Sequence, residues 1–139
     1  MHRALRTSLV VLVSLAATTL AACSSTDTAD AQSGSDLVST VQPPQARSLI
    51  EDGARVIDVR TPEEFAAGHL AGARNIDVSA ADFHARVGEL DQDATYVLYC
   101  RSGSRAGAAA DMMADMGFTD VVNAGGFDSL AAAGLPTEG

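Results

Sequence analysis

From about residue 38 onward the chain alternates short β-branched runs with helically spaced apolar positions, and Gly, Asp and Asn punctuate the joins. Residues 38–41 read as a first strand. Pro43-Pro44 opens a helix that runs through Ile50 and stops at Asp52-Gly53, since Pro suits a first helical turn and Gly the position past the last. Val56-Ile57-Asp58-Val59 is an apolar run of buried-strand type, and Thr61-Pro62-Glu63-Glu64 carries a capping-box start for the next helix. Residues 75–78 predict a strand and residues 80–90 a helix. Residues 95–99 (TYVLY) are the most strand-like in the chain. A helix over 105–116 places Ala109, Met112, Met113 and Met116 on one core-facing side and stops at Gly117. Val121-Val122 makes a last strand and residues 126–133 a last helix. Alternating strands and helices predict an α/β fold, a mostly parallel sheet covered by helices on both faces. No internal repeat is evident.

The first 36 residues follow another pattern. His2, Arg3 and Arg6 precede an apolar stretch over residues 8–22, the layout of a secretory signal peptide. As a helix this stretch spans roughly 22 Å, short of the ~30 Å hydrocarbon core of a bilayer. It ends in Leu20-Ala21-Ala22-Cys23, which resembles the bacterial lipobox, whose Cys is acylated and becomes the new N-terminus. The expectation is a signal peptide over 1–22 and lipid on Cys23, with two or more acyl chains giving a stable anchor. Residues 24–36 (SSTDTADAQSGSD) hold nothing more apolar than Ala and read as a tether, with a reach on the order of 20 Å. The folded domain is then 37–139, exported and held on the outer or periplasmic face of a membrane.

At 139 residues there is room for one such domain and little more, and 47% hydrophobic residues suffice to build its core. All nine basic residues are Arg, Lys is absent, and 18 acids bring the net charge to −9. Cleavage before Cys23 would remove Arg3 and Arg6 and leave −11. No basic stripe is available for a phosphate backbone, so nucleic acid is excluded as a partner. Three scattered His residues have no ligand-like spacing with the cysteines, and no Gly-rich phosphate fingerprint opens a helix. Neither a metal, a nucleotide nor another cofactor is expected, and the domain is read as a monomer.

If Cys23 carries lipid, Cys100 is the one thiol of the folded part, and no internal disulfide can form. It stands between a strand end and a helix start, in the loop Cys100-Arg101-Ser102-Gly103-Ser104-Arg105. Ligands of open α/β sheets bind beyond the carboxyl ends of strands, where helix N-termini present unpaired N–H groups. A thiol in that position, flanked by two Arg, is expected to ionise more readily than a free cysteine. The bland alternative is a small hydrophobe packed in the core.

The loop CRSGSR resembles the active-site loop of rhodanese-type sulfurtransferases. So do Asp58-Val59-Arg60, Glu64-Phe65, Gly68-His69-Leu70, Gly72-Ala73 and Asn75-Ile76, which are similar to that family's DVR, EF, GHI, GA and NI landmarks. Gly125-Gly126-Phe127 and Gly134-Leu135-Pro136 resemble its closing segment, so the likeness spans roughly residues 49–136. It implies a rhodanese-like three-layer sandwich and a Cys that carries a persulfide. Sulfane sulfur would pass from a small anionic donor such as thiosulfate to a thiol or cyanide acceptor. Carried over by position, Cys100 is the nucleophile, and Arg101, Ser102, Gly103, Ser104 and Arg105 form the substrate-binding cradle of backbone N–H groups. Gly103 supplies the tight curl, and Arg101 and Arg105 bind the anionic donor, although Arg105 can instead lock the loop through acidic neighbours.

The remaining candidates read as structural support. Asp58 ends a buried strand and caps or pairs, Arg60 pairs with Glu63 or Glu64, and His69 is a hydrogen-bonded turn residue, while His84 sits on a helix surface. Two departures from the family stand out: Leu130 where Trp is frequent, and Asp77 where Pro is common. Rival readings are a Cys-based phosphatase or arsenate reductase and a non-catalytic binding or sulfur-carrier module. The phosphatase loops place five residues between Cys and Arg, against four here.

Overall fold

The computed structural model describes residues 38–139. The signal segment 1–22, Cys23 and the tether 24–36 lie outside the described residues, as does Leu37. The elements in chain order are β1 (Val38–Thr40), α1 (Pro43–Glu51), β2 (Arg55–Asp58), α2 (Pro62–Ala66), β3 (His69–Leu70) and β4 (Arg74–Asn75). These are followed by α3 (Phe83–Gly88), β5 (Tyr96–Cys100), α4 (Ser104–Asp115), β6 (Val121–Gly126), α5 (Phe127–Ala132) and β7 (Thr137–Glu138).

Five strands form one sheet in the order β1-β6-β5-β2-β4, every neighbouring pair parallel. The central strand β5 is buried along its whole length, as a parallel sheet covered on both sides requires. Its side chains alternate. Tyr96, Leu98 and Cys100 enter one core with Ile57, Phe83 and Val87 and with Ala106, Ala109, Ala110 and Met113 of α4. Val97 and Tyr99 enter the other, with Ala46 of α1, Leu70, Leu130 of α5 and Leu135. Leu130 is fully buried there.

Local chemistry sets the helix starts. Thr61 Oγ1 accepts from the Glu64 amide at 3.3 Å and Glu64 Oε2 accepts from the Thr61 amide at 3.1 Å, the reciprocal capping box that the sequence predicts. The buried face of α4 consists of Ala106, Ala109, Ala110 and Met113, while Met112 and Met116 flank it half-buried.

Several boundaries differ from expectation. The strand expected over 75–78 is regular only at Arg74–Asn75, because Asp77 bends the chain: its Oδ1 accepts from the Ser79 amide at 2.8 Å and hydroxyl at 2.6 Å. Backbone contact with the sheet nevertheless continues, through Ile76 N to Asp58 O and Val78 N to Val59 O. The helix expected from residue 80 starts only at Phe83, after the turns that this bend introduces. Val121-Val122 extends to a six-residue strand. A small antiparallel sheet of β3 and β7, two residues each, has no counterpart in the predicted elements. Two residues are too few to show a period.

Among the described residues no helix is long and apolar enough to cross a membrane.

Candidate active site

Register places the carboxyl ends of three strands together: Asp58 lies opposite Tyr99, and Cys100 opposite Gly126. The β5–β6 ladder slips between these rungs. Leu98 pairs with Asn123 but Cys100 pairs with Gly126, so β6 carries one more residue than β5 over the same stretch. This is a bulge, and Gly125 within it has φ +84°. Gly126 brings the bulged strand hard against the loop that follows Cys100, since a Cβ there would collide with the Arg101 carbonyl oxygen.

Cys100 is fully buried and ends its strand against α4. The chain then turns at Arg101 and Ser102, both exposed, and reaches Gly103, which is buried with φ +100° and serves as N-cap of α4. The left-handed conformation suits a residue without a Cβ, and one added at Gly103 would also press on Gly125 Cα at 3.2 Å. In this conformation the Gly103 amide donates to Cys100 Sγ at 2.9 Å. Negative charge on that sulfur therefore meets a main-chain dipole at the positive end of a twelve-residue helix.

The two loop Arg residues are placed differently. Arg101 is exposed, and among the described residues it makes no ion pair. Arg105 reaches across to α2, where Nη1 donates to Glu64 Oε2 at 2.7 Å and Nη2 to Glu64 Oε1 at 2.8 Å. The hydrogen bonds from Arg105 pull the Glu64 carboxyl down to about 2, against partial burial. The same hydrogen bonds raise the Arg105 guanidinium above its ordinary value. Of the two roles open to Arg105, the locking contact is the one formed here.

Behind the site lies a buried ion pair. Arg60 donates from Nε to both Asp58 oxygens at 3.0 Å, from Nη2 to Asp58 Oδ2 at 2.6 Å, and from the same Nη2 to Gly68 O at 2.6 Å. The expectation that Arg60 pairs with Glu63 or Glu64 is thus corrected. Its side chain folds back over the strand end onto Asp58, two residues earlier, while Glu64 is held by Thr61 and Arg105. Aromatic rings enclose the guanidinium, with Phe127 at 4.6 Å and Tyr99 at 5.6 Å. Burial opposes the Arg60 charge, but the hydrogen bond and charge of Asp58 outweigh it and hold the group above its ordinary value. Burial also pushes the Tyr99 hydroxyl well above a free phenol, although that oxygen accepts from the Leu70 amide at 2.9 Å.

His69 stacks on Phe65 at 3.7 Å, with Nδ1 2.9 Å from the Phe65 carbonyl, at the start of β3. His84 is exposed. The structure therefore brings together Cys100, Gly103, Arg105 and, through Arg105, Glu64. One contributor is not singled out by the sequence, Asn123; Glu64 is named there for its capping box and as a candidate partner of Arg60, and the structure gives it to Arg105 instead. The signal for Asn123 is its place two residues before Gly125, where an Asn side chain can close a turn.

Residues 42–133 match the family model described as "Rhodanese-like domain". This chain belongs to the rhodanese-like family. Curated relatives of this rhodanese-like chain include thiosulfate sulfurtransferase GlpE of Pseudomonas aeruginosa (strain LESB58), 44% identical over 96 residues, which cover 68% of this chain and 84% of the relative. GlpE of Ectopseudomonas mendocina is 35% identical over 98 residues, 70% of this chain and 88% of that protein. Among solved structures, a rhodanese-related protein from Thermoplasma volcanium superposes with TM-score 0.64 at 27% identity, covering 72% of this chain and 97% of its own. A rhodanese with anions from E. coli gives TM-score 0.53 at 31% identity, covering 62% of this chain and 98% of its own.

Among the described residues, no group of His, Cys, Asp and Glu is arranged to hold a metal ion.

Proposed function

We propose that this rhodanese-like protein is a thiosulfate sulfurtransferase with Cys100 as its nucleophile. The observation that carries the reading is the Gly103 amide aimed at Cys100 Sγ from 2.9 Å, at the carboxyl end of the central strand. The likeness to curated thiosulfate sulfurtransferases supports the choice of reaction.

The Cys100 thiolate attacks the outer sulfur of thiosulfate. A Cys–S–S bond forms, the S–S bond of thiosulfate breaks, and sulfite leaves with the bonding electron pair. A thiophilic acceptor such as cyanide or a thiol then attacks the outer persulfide sulfur, and the Cys100 thiolate is regenerated. Two covalent states that alternate in this way give ping-pong kinetics. Negative charge sits on sulfur before and after each transfer, so the main-chain donor at Gly103 serves both half-reactions, as an oxyanion hole serves acyl transfer. Arg101, exposed in the loop that follows Cys100, attracts the anionic donor at short range. Beyond ~8 Å, physiological salt screens the acidic surface.

The finer reading is that the enzyme works outside the cytoplasm, exported by residues 1–22 and lipid-anchored through Cys23. The support is the order of charged start, apolar middle and LAAC tetrapeptide.

The purified protein is expected to release sulfite from thiosulfate with cyanide as acceptor, and Cys100→Ser to bring the rate to background. Equal rates in the two proteins would leave a binding module. Intact mass of the native protein tests the anchor: acyl groups on an N-terminal Cys23 are expected, and an unprocessed Met1 would sink the export reading.

A further inference from the structure

We propose that Asn123 is a positioning residue for sulfur transfer, acting on Cys100 through Gly103; this rests on the sulfurtransferase reading above. Asn123 is nearly buried at 8% exposure, on the strand next to Cys100 and at the start of the bulge. Its Nδ2 donates to the Gly103 carbonyl at 3.0 Å, and its Oδ1 accepts from the Gly125 amide at 2.9 Å. Gly103 is the residue whose amide donates to Cys100 Sγ, and Gly125 is the residue whose Cα would be crowded by a Cβ on Gly103. One side-chain amide therefore ties the loop that receives the sulfur to the bulge packed against it.

The geometry gives this contact a direction. A left-handed glycine has the widest choice of backbone angles of any residue, and so costs the most to fix in one of them. The Gly103 carbonyl is anchored twice, by Asn123 Nδ2 and by the Gly107 amide at 2.8 Å. Helix formation supplies the second anchor in any sequence. The first is specific to Asn123 and restrains the rotation of Gly103 that sets where its own N–H points. An amide is needed at 123 because the position donates with one end and accepts with the other; a carboxylate can only accept. Strand alternation puts Asn123, opposite Leu98, on the α4 side of the sheet, and the slip that follows carries Gly125 and Gly126 over the loop.

Three variants test this: Asn123→Asp, which keeps the acceptor for Gly125 and loses the donor; Asn123→Ala, which loses both; and Asn123→Ser, which retains a shorter donor. Cys100 alkylation by iodoacetamide is followed across pH, beside kcat and KM for thiosulfate and a thermal melt. The expected result is an alkylation profile moved to higher pH in the Asp and Ala variants and less so in Ser. With it goes a loss of about tenfold in kcat/KM for thiosulfate, below the ~10²–10³ seen when an anion-hole donor is itself removed. A lowered melting temperature with an unmoved alkylation profile means that Asn123 only supports the fold, and overturns the proposal. So does no change at all.

The wild-type protein provides an arm that does not depend on the variants folding. In an NMR pH titration, the Gly103 amide and the Asn123 side-chain amide are expected to move with the same midpoint, that of Cys100. A flat Asn123 signal while Gly103 titrates overturns the proposal. The two ideas fail separately: a wild-type protein that releases no sulfite but shows these shifts loses the enzymatic reading and keeps Asn123 as the residue that aims Gly103.

Discussion

Glu64 and Arg105 stand 41 positions apart in sequence and are joined by two side-chain hydrogen bonds, at 2.7 and 2.8 Å, that fasten α2 to the first turn of α4. The pair grips the helix at the end next to Cys100, so the loop between them is held from α2 as well as from β6.

That pair titrates in acid. The Glu64 carboxyl lies at about 2 in the folded chain against an ordinary value of 4.5. The unfolded chain therefore binds this proton at higher pH than the folded one, and acid favours unfolding. The contribution is complete above about pH 4.5 and is lost as pH falls from there toward 2. Urea denaturation at a series of pH values should show stability falling over this window, with a visibly shallower fall in Glu64→Gln. Identical slopes would mean that the pair contributes nothing to folding.

Gly126→Ala drives a Cβ into the Arg101 carbonyl oxygen, a main-chain atom that cannot swing aside. Overpacking of this kind costs about 1–3 kcal/mol, and here the displacement falls on the loop that carries the Gly103 donor. Both the unfolding midpoint and sulfite release are expected to drop. A fully active, fully stable variant would show that β6 and the loop are not in this contact.

Arg60→Met leaves Asp58, wholly buried, without its partner. Breaking a buried pair in this way costs about 3–5 kcal/mol, mostly through the charge left behind. The double variant Arg60→Met with Asp58→Leu should regain much of the loss in chemical denaturation. Its failure to do so would mean that the ion pair is worth more than the desolvation it demands.

Complete burial of Cys100 in this state predicts selection by reagent size. Iodoacetamide should modify it faster than a bulky maleimide by about tenfold more than the same two reagents differ on a small free thiol, a gap equal to ~1.4 kcal/mol of opening cost. Equal ratios would mean that the thiol stands open in solution.

Much of this is legible in the sequence itself. TYVLY followed at once by CRSGSR marks a buried strand running into a helix start, and β5 and α4 lie there with the thiol between them. Thr61 and Glu64 announce their capping box because it is local, three residues apart. The partner of Arg60 is not local in the same sense. Three nearby acids, Asp58, Glu63 and Glu64, compete for it, and the choice depends on Arg105 arriving from α4 to occupy Glu64. Asn123 is hidden for a similar reason, since its role depends on a slip between β5 and β6 that neither strand's own sequence discloses. The β3–β7 pair joins residues 69–70 to 137–138, a match of two short segments across the length of the domain.

The slip in β6 also says something about tolerance to change. Over one interval β5 advances two residues while β6 advances three. Shortening β6 by a residue there would give a smoother sheet, yet it would draw the two glycines off the thiol's doorstep and leave Asn123 without the Gly125 amide it holds. Length at this point, more than the identity of any single side chain, is what an alignment of working sequences should be least free to vary.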